Sequence, residues 1–165
     1  MTQLFEATNY LHNVKVCHRD LKPDNIMVAQ GAFATFGAGL PSQQKARAAI
    51  KVKIIDFNVA VRLQDETSKI QGGTGLKEWS APETRQNLQT DYKIDCWTLG
   101  CIMFLLCTGN QPFKKGDKIT IVPEFNLLHK LADYSESATF ADMVDFMSRL
   151  LTNDPERRLS ATEAL

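Results

Sequence analysis

Residues 18–25, His-Arg-Asp-Leu-Lys-Pro-Asp-Asn, decide how the rest of the chain is read. They gather a proton acceptor (Asp20), a cation (Lys22) and an amide able to ligate metal (Asn25) into one polar stretch. Val14 and Val16 precede it, and Ile26, Met27 and Val28 follow it. A polar turn between two strand-like runs is where a rigid scaffold presents reactive side chains. Five residue types fixed at about 5% each make a chance match anywhere in the chain rarer than about one in ten thousand. Taken alone, the Asp-x-x-x-x-Asn spacing is also ordinary turn chemistry, because both types favour loops.

Working outward, Leu4, Phe5, Thr8, Leu11 and His12 fall at helical spacing, so residues 2–13 read as an amphipathic helix. Short strands are expected at 15–17, 26–28 and 51–55, the last rich in β-branched residues. Residues 29–50 are Ala-, Gly- and Gln-rich without an apolar period and read as an inserted surface loop. Residues 56–83 form a second irregular segment. Helices follow at 92–107, 124–132 and 138–151, the last with Phe140, Met143, Val144, Met147, Leu150 and Leu151 on one stripe. Ser160 with Glu163 three residues later is a capping-box signature for one more helix.

The chain has 165 residues, the size of one domain, and its 44% hydrophobic and 23% charged content is that of a globular protein. A formal net charge of zero argues against electrostatic binding of nucleic acid or membrane surface. The longest apolar stretch, Trp97 to Cys107, is too short to span a bilayer, and the N-terminus does not resemble a signal peptide. The expected compartment is intracellular, cytoplasmic or nuclear. Cys17, Cys96, Cys101 and Cys107 form no Cys-x-x-Cys pair and read as buried, reduced structural thiols.

Four further motifs stand in order along the chain. They are Asp56-Phe57-Asn58, Ala81-Pro82-Glu83, Asp95-Cys96-Trp97-Thr98-Leu99-Gly100 and Asp154-Pro155-Glu156-Arg157-Arg158. With the octet, they resemble the eukaryotic protein kinases. The octet resembles the catalytic loop, and Lys two places after Asp resembles the serine/threonine branch. Asp56-Phe57-Asn58 stands where the family has Asp-Phe-Gly, with Asn58 in the glycine position. Ala81-Pro82-Glu83 resembles the motif closing the activation segment, here 56–83. Trp79 stands where tyrosine is more usual.

The resemblance implies an α+β, mainly α fold like the kinase C-terminal lobe: a helical bundle with short β-hairpins carrying the catalytic and metal-binding loops. It also implies roles. Asp20 would orient a substrate hydroxyl and accept its proton, and Lys22 would neutralise charge on the transferring phosphoryl group. Asn25 and Asp56 would hold Mg²⁺, and Met27 would pack beneath the adenine of ATP. His18 and Phe57 resemble the lower members of a hydrophobic stack. Glu83 and Arg158 resemble a buried ion pair, and Asp95 an anchor for the catalytic-loop backbone. Arg19 resembles the arginine that pairs with a phosphorylated activation segment, for which Thr67 and Ser68 are the candidate acceptors. Thr74 resembles the substrate-loop threonine.

No Gly-x-Gly-x-x-Gly occurs in these 165 residues. The expectation is therefore a partial kinase domain over 1–165, truncated at both ends, whose N-lobe comes from upstream sequence. Its function would be transfer of the ATP γ-phosphate to protein Ser/Thr hydroxyls, with the isolated chain inactive. The alternative from another class is a non-catalytic kinase-like protein-interaction module.

Overall fold

In a computed structural model the described residues are 1–29, 51–65, 68–71, 78–113, 126 and 138–165. Helix α1 (Thr2–Asn13) turns Leu4, Phe5 and Thr8 inward, the i, i+1, i+4 stripe its sequence foretells. Strand β1 (Val16–Cys17) follows and pairs antiparallel with β4 (Val61–Arg62). Lys15, expected in the strand, instead adopts φ 64° and turns the chain out of α1, so the ladder begins at Val16. A 3-10 turn, Pro23–Asn25, leads into β2 (Ile26–Val28), which pairs antiparallel with β3 (Val52–Ile54) in the register Ile26↔Ile54, Met27↔Lys53 and Val28↔Val52.

The segment expected to be irregular, 56–83, contains β4 and the start of α2 (Pro82–Arg85). β4 exists because β1 offers it an edge, and α2 is a single turn whose local signal is Pro82 at its start. Ile70 bridges Thr90, tying that segment to the approach of α3 (Lys93–Thr108).

Helix α3 is the post around which the rest packs. Every residue from Ile94 to Ile102 is buried, so it shows almost no amphipathic contrast. It ends at Gly109, whose φ of 74° lets its N–H close back on Leu105 at 2.8 Å. Gly100 lies mid-helix for a packing reason. A Cβ there would meet Leu150 Cβ and Leu151 Cγ and Cδ2, each at 3.0 Å. Helix α4 (Ala138–Leu150) can therefore come close, burying Val144, Met147 and Leu150. Phe5 of α1 meets Phe146 of α4 edge to face at 5.5 Å, and Trp97 stacks on Phe113 at 5.1 Å.

Two expectations need correction. The capping box at Ser160 forms: its N–H and hydroxyl both reach Glu163 Oε2, at 2.8 and 2.7 Å. It closes turns over 161–164, not a helix. Cys17, Cys96 and Cys101 are buried, but Cys107 is exposed on the outer face of α3, its Sγ 3.8 Å from Met143 Sδ. The loop at 30–50, all of the helix expected at 124–132 except residue 126, and Thr67 and Thr74 lie outside the described residues.

Candidate active site

Between β1 and β2 the chain makes a tight polar loop held by a single buried carboxylate. Asp95, in the first turn of α3, accepts the backbone N–H of His18 through Oδ2 and of Arg19 through Oδ1, both at 2.9 Å. Burial pushes the Asp95 carboxyl up. The His12 hydrogen bond and charge, with these two N–H groups, outweigh that and hold it below the usual carboxylate range. Arg19 sits at φ 70°, a left-handed conformation that a non-glycine residue keeps only where its surroundings hold it.

His18 is fully buried and ties two elements together. Its Nδ1 accepts from the N–H of Asp20 at 3.3 Å, so Nε2 is the nitrogen that donates, to Ile55 O at 3.0 Å. The end of β3 and the backbone of the loop after β1 are thus joined through one imidazole. Its ring also meets Phe57 edge to face at 4.7 Å.

Two side chains of the octet, Lys22 and Asn25, converge on one oxygen of a third, Asp20. Lys22 Nζ donates to Asp20 Oδ2 at 2.6 Å, and Asn25 Nδ2 donates to the same oxygen at 3.1 Å and to Asp20 O at 2.7 Å. The Asp20 hydrogen bond raises Lys22 above the usual lysine range against the effect of burial, with Asp56 and Asp24 adding to it. Asp20 Oδ1 receives no donor among the described residues, leaving it as the oxygen that can take a proton from an incoming hydroxyl.

Asp56 lies two residues past β3 at φ 64°, exposed, with Oδ1 accepting from Asn58 N–H at 3.3 Å. The ladder sets its position relative to Asn25, because Ile55 N–H closes on Asn25 O at 2.9 Å directly beyond the Ile26↔Ile54 pair. Asn25 commits its amide nitrogen to Asp20, so its amide oxygen is the atom a cation would take. Two hard oxygen donors suit Mg²⁺. Among the described residues no three acidic, His or Cys side chains form a complete metal cage. A cation here would complete its shell from phosphate and water, as Mg²⁺ carried by a nucleotide does. Met27 and Phe57 nearby in sequence are 54% and 45% exposed, apolar surface that the described protein leaves uncovered.

Glu83 and Arg158 stand apart from this chemistry. They form a bidentate pair at 2.6 and 2.9 Å, with the Arg158 side chain fully buried and over the Trp97 ring at 5.0 Å. Thr98 adds a second tie to the closing segment, its hydroxyl donating to Trp79 O at 3.2 Å. Ser68 is bound into a local turn, donating to Asp65 Oδ1 at 2.9 Å and accepting from Asp65 N–H at 3.2 Å. A phosphate there would face the Asp65 carboxylate, which weighs against Ser68 as an acceptor. His12, which sequence reasoning left on a helix face, is hydrogen-bonded to Asp95; no local pattern signals a contact between residues 83 positions apart.

The family model for the protein kinase domain matches residues 1–165. Sperm motility kinase 3A of Mus musculus is 33% identical over 171 residues, covering 99% of this chain and 28% of that protein. Serine/threonine-protein kinase PKH1 of Saccharomyces cerevisiae is 29% identical, covering 96% of this chain and 20% of that protein. Serine/threonine-protein kinase chk-2 of Caenorhabditis elegans is 29% identical, covering 99% and 31%. The chain thus spans a fifth to a third of the length of these relatives. A chain matched from end to end by that model belongs to the protein kinase family.

Proposed function

We propose that this chain is the catalytic-loop lobe of a serine/threonine protein kinase, transferring the ATP γ-phosphate to protein hydroxyls. The observation that carries the reading is the convergence of Lys22 Nζ and Asn25 Nδ2 on Asp20 Oδ2, at 2.6 and 3.1 Å. These contacts orient the Asp20 carboxylate and leave Oδ1 to align a substrate hydroxyl and accept its proton. Lys22 carries a positive charge to the same place, where negative charge spreads over the transferring group. Asn25 and Asp56 are the residues that would hold Mg²⁺, which when bound neutralises phosphate charge. Met27 and Phe57 offer the apolar surface against which an adenine ring would lie. The glycine-rich loop and lysine clamp of a kinase N-lobe would come from sequence outside these residues, so the chain by itself leaves a nucleotide wet on one side.

Titrating the chain with ATP and Mg²⁺ while recording backbone amide spectra tests this. Shifts are expected at Asn25, Met27, Asp56 and Phe57, dependent on both components and lost in Asp56→Asn. Shifts that ignore Mg²⁺, or no shifts at all, would remove the nucleotide reading and favour a protein-interaction module.

A further inference from the structure

The segment between Asp56 and Glu83 carries one apolar residue with no part in the chemistry above. Ile70 stands among polar neighbours, Ser68, Lys69 and Gln71, yet it is 4% exposed and belongs to the same apolar core as Leu63 and Ile94. Its N–H donates to Thr90 O at 2.7 Å, and its carbonyl accepts Thr90 N–H at 3.0 Å. Thr90 is itself 3% exposed. Beside this bridge, Lys69 Nζ lies 2.9 Å from Asp91 Oδ2 and 3.8 Å from Glu156 Oε1. Asp91 is fixed in turn, its Oδ1 accepting Lys93 N–H at 2.9 Å at the head of α3. Earlier in the segment β4 is paired with β1, and Leu63 N–H closes on Lys15 O at 2.8 Å.

Phosphorylation orders a segment by bringing charge that an arginine can pair. Nothing of that kind is needed at Ile70, where the ties are apolar burial, two backbone hydrogen bonds and a lysine. We propose that Ile70 is an anchor that docks the middle of segment 56–83 on the lobe without phosphate, and that Lys69 sets its register against Asp91. The two contacts differ in weight. Lys69 is 42% exposed and Glu156 82%, and a solvated ion pair stabilises little and is screened by salt. Truncating the isoleucine removes buried apolar surface and leaves a void, so it is the stronger half. Thr90 and Asp91 lead into the turn of α3 whose Asp95 holds the backbone of His18 and Arg19, so the docked segment and the loop at 18–25 share one support.

The regulatory meaning of this anchor, an activation segment in place before any modification, rests on the kinase reading of residues 18–25. The docking itself does not, and it is measured without phosphotransfer. Native-state hydrogen exchange is followed on chain shown by intact mass to carry no phosphate. The Ile70 and Thr90 amides should exchange more than about a hundredfold slower than free amides. Thr90 N–H keeps its backbone acceptor in Ile70→Ala, so its rate there reports whether the segment stays docked. That rate should rise about thirtyfold or more while the amides of Leu99 to Phe104 remain protected. Lys69→Ala should raise it by no more than about fivefold, a difference that closes in about 1 M salt. Free exchange at Ile70 and Thr90 in the unphosphorylated wild type would overturn the proposal. So would an Ile70→Ala rate equal to wild type, or a Lys69→Ala effect as large as that of Ile70→Ala. Should Ile70→Ala fail to fold, the wild-type amides decide: protection without phosphate is required, and free exchange refutes it.

Discussion

Replacing Glu83 by alanine should damage this protein more than any other single truncation near the site. Arg158 would keep its bonds to Thr152 O at 3.0 Å, Lys93 O at 3.1 Å and Asn153 O at 3.4 Å, and its place over Trp97. It would lose both carboxylate oxygens, leaving a cation that is 1% exposed without a counter-charge. Breaking a buried pair from one side costs about 3–5 kcal/mol. A domain of this size loses about 2–4 °C in Tm per kcal/mol, so the expected fall is about 6–20 °C. Scanning calorimetry of wild type, Glu83→Ala, Arg158→Leu and the double variant gives the coupling directly. The double variant should be clearly more stable than the sum of the single losses, because removing both charges strands neither. A Tm change under about 2 °C in Glu83→Ala, or strict additivity, would refute the reasoning from burial and charge.

Three other outcomes follow from the same geometry. Gly100→Ala should lower Tm by a few degrees: overpacking against Leu150 and Leu151 costs about 1–3 kcal/mol, more than the roughly 1 kcal/mol that alanine returns in helix propensity. A rise in Tm would show that α4 gives way freely. The Asp95 carboxyl is held below its ordinary value, so its contribution is complete above the unfolded value of about 4 and is lost as pH falls through the lower folded one. Asp95→Asn should therefore be less stable at pH 7 and show a shallower acid limb in denaturant midpoints; parallel pH profiles would contradict this. Iodoacetamide at pH 8 should label the native chain once, at Cys107. Burial pushes Cys96 up to about 12 and Cys101 higher still, and Cys17 is likewise raised. Rapid uptake of two or more labels, read by mass spectrometry, would mean that the core opens.

The elements legible in the sequence are those whose pattern is local. The apolar spacing of residues 2–13 describes α1 to the residue, and the β-branched runs give β2 and the whole of β3, the latter overrun by one residue at each end. The Trp97 to Cys107 stretch marks α3, and its uniform hydrophobicity foretells the burial from Ile94 to Ile102, though not the exposure of Leu106 and Cys107 at its end. What could not be read depends on partners far along the chain. The two residues of β4 are a strand only because β1 lies beside them, and His12 looks like any helix residue until α3 is docked. The left-handed backbone at Arg19 and Asp56 had no signal either, since neither residue is glycine and both conformations are enforced from outside. The octet names the candidate residues, while the convergence of Lys22 and Asn25 on a single oxygen of Asp20 is a fact of folding.

The β2–β3 ladder has two unequal ends. Asn25 and Asp56 sit at one, while the connection from Ala29 to Lys51 leaves from the other, where Ala29 N–H closes on Lys51 O at 2.8 Å. Three paired residues separate the two ends, so the spacing of the two oxygen donors is set before the connection begins. Changes of length in that connection are therefore separated from Asn25 and Asp56 by the full ladder.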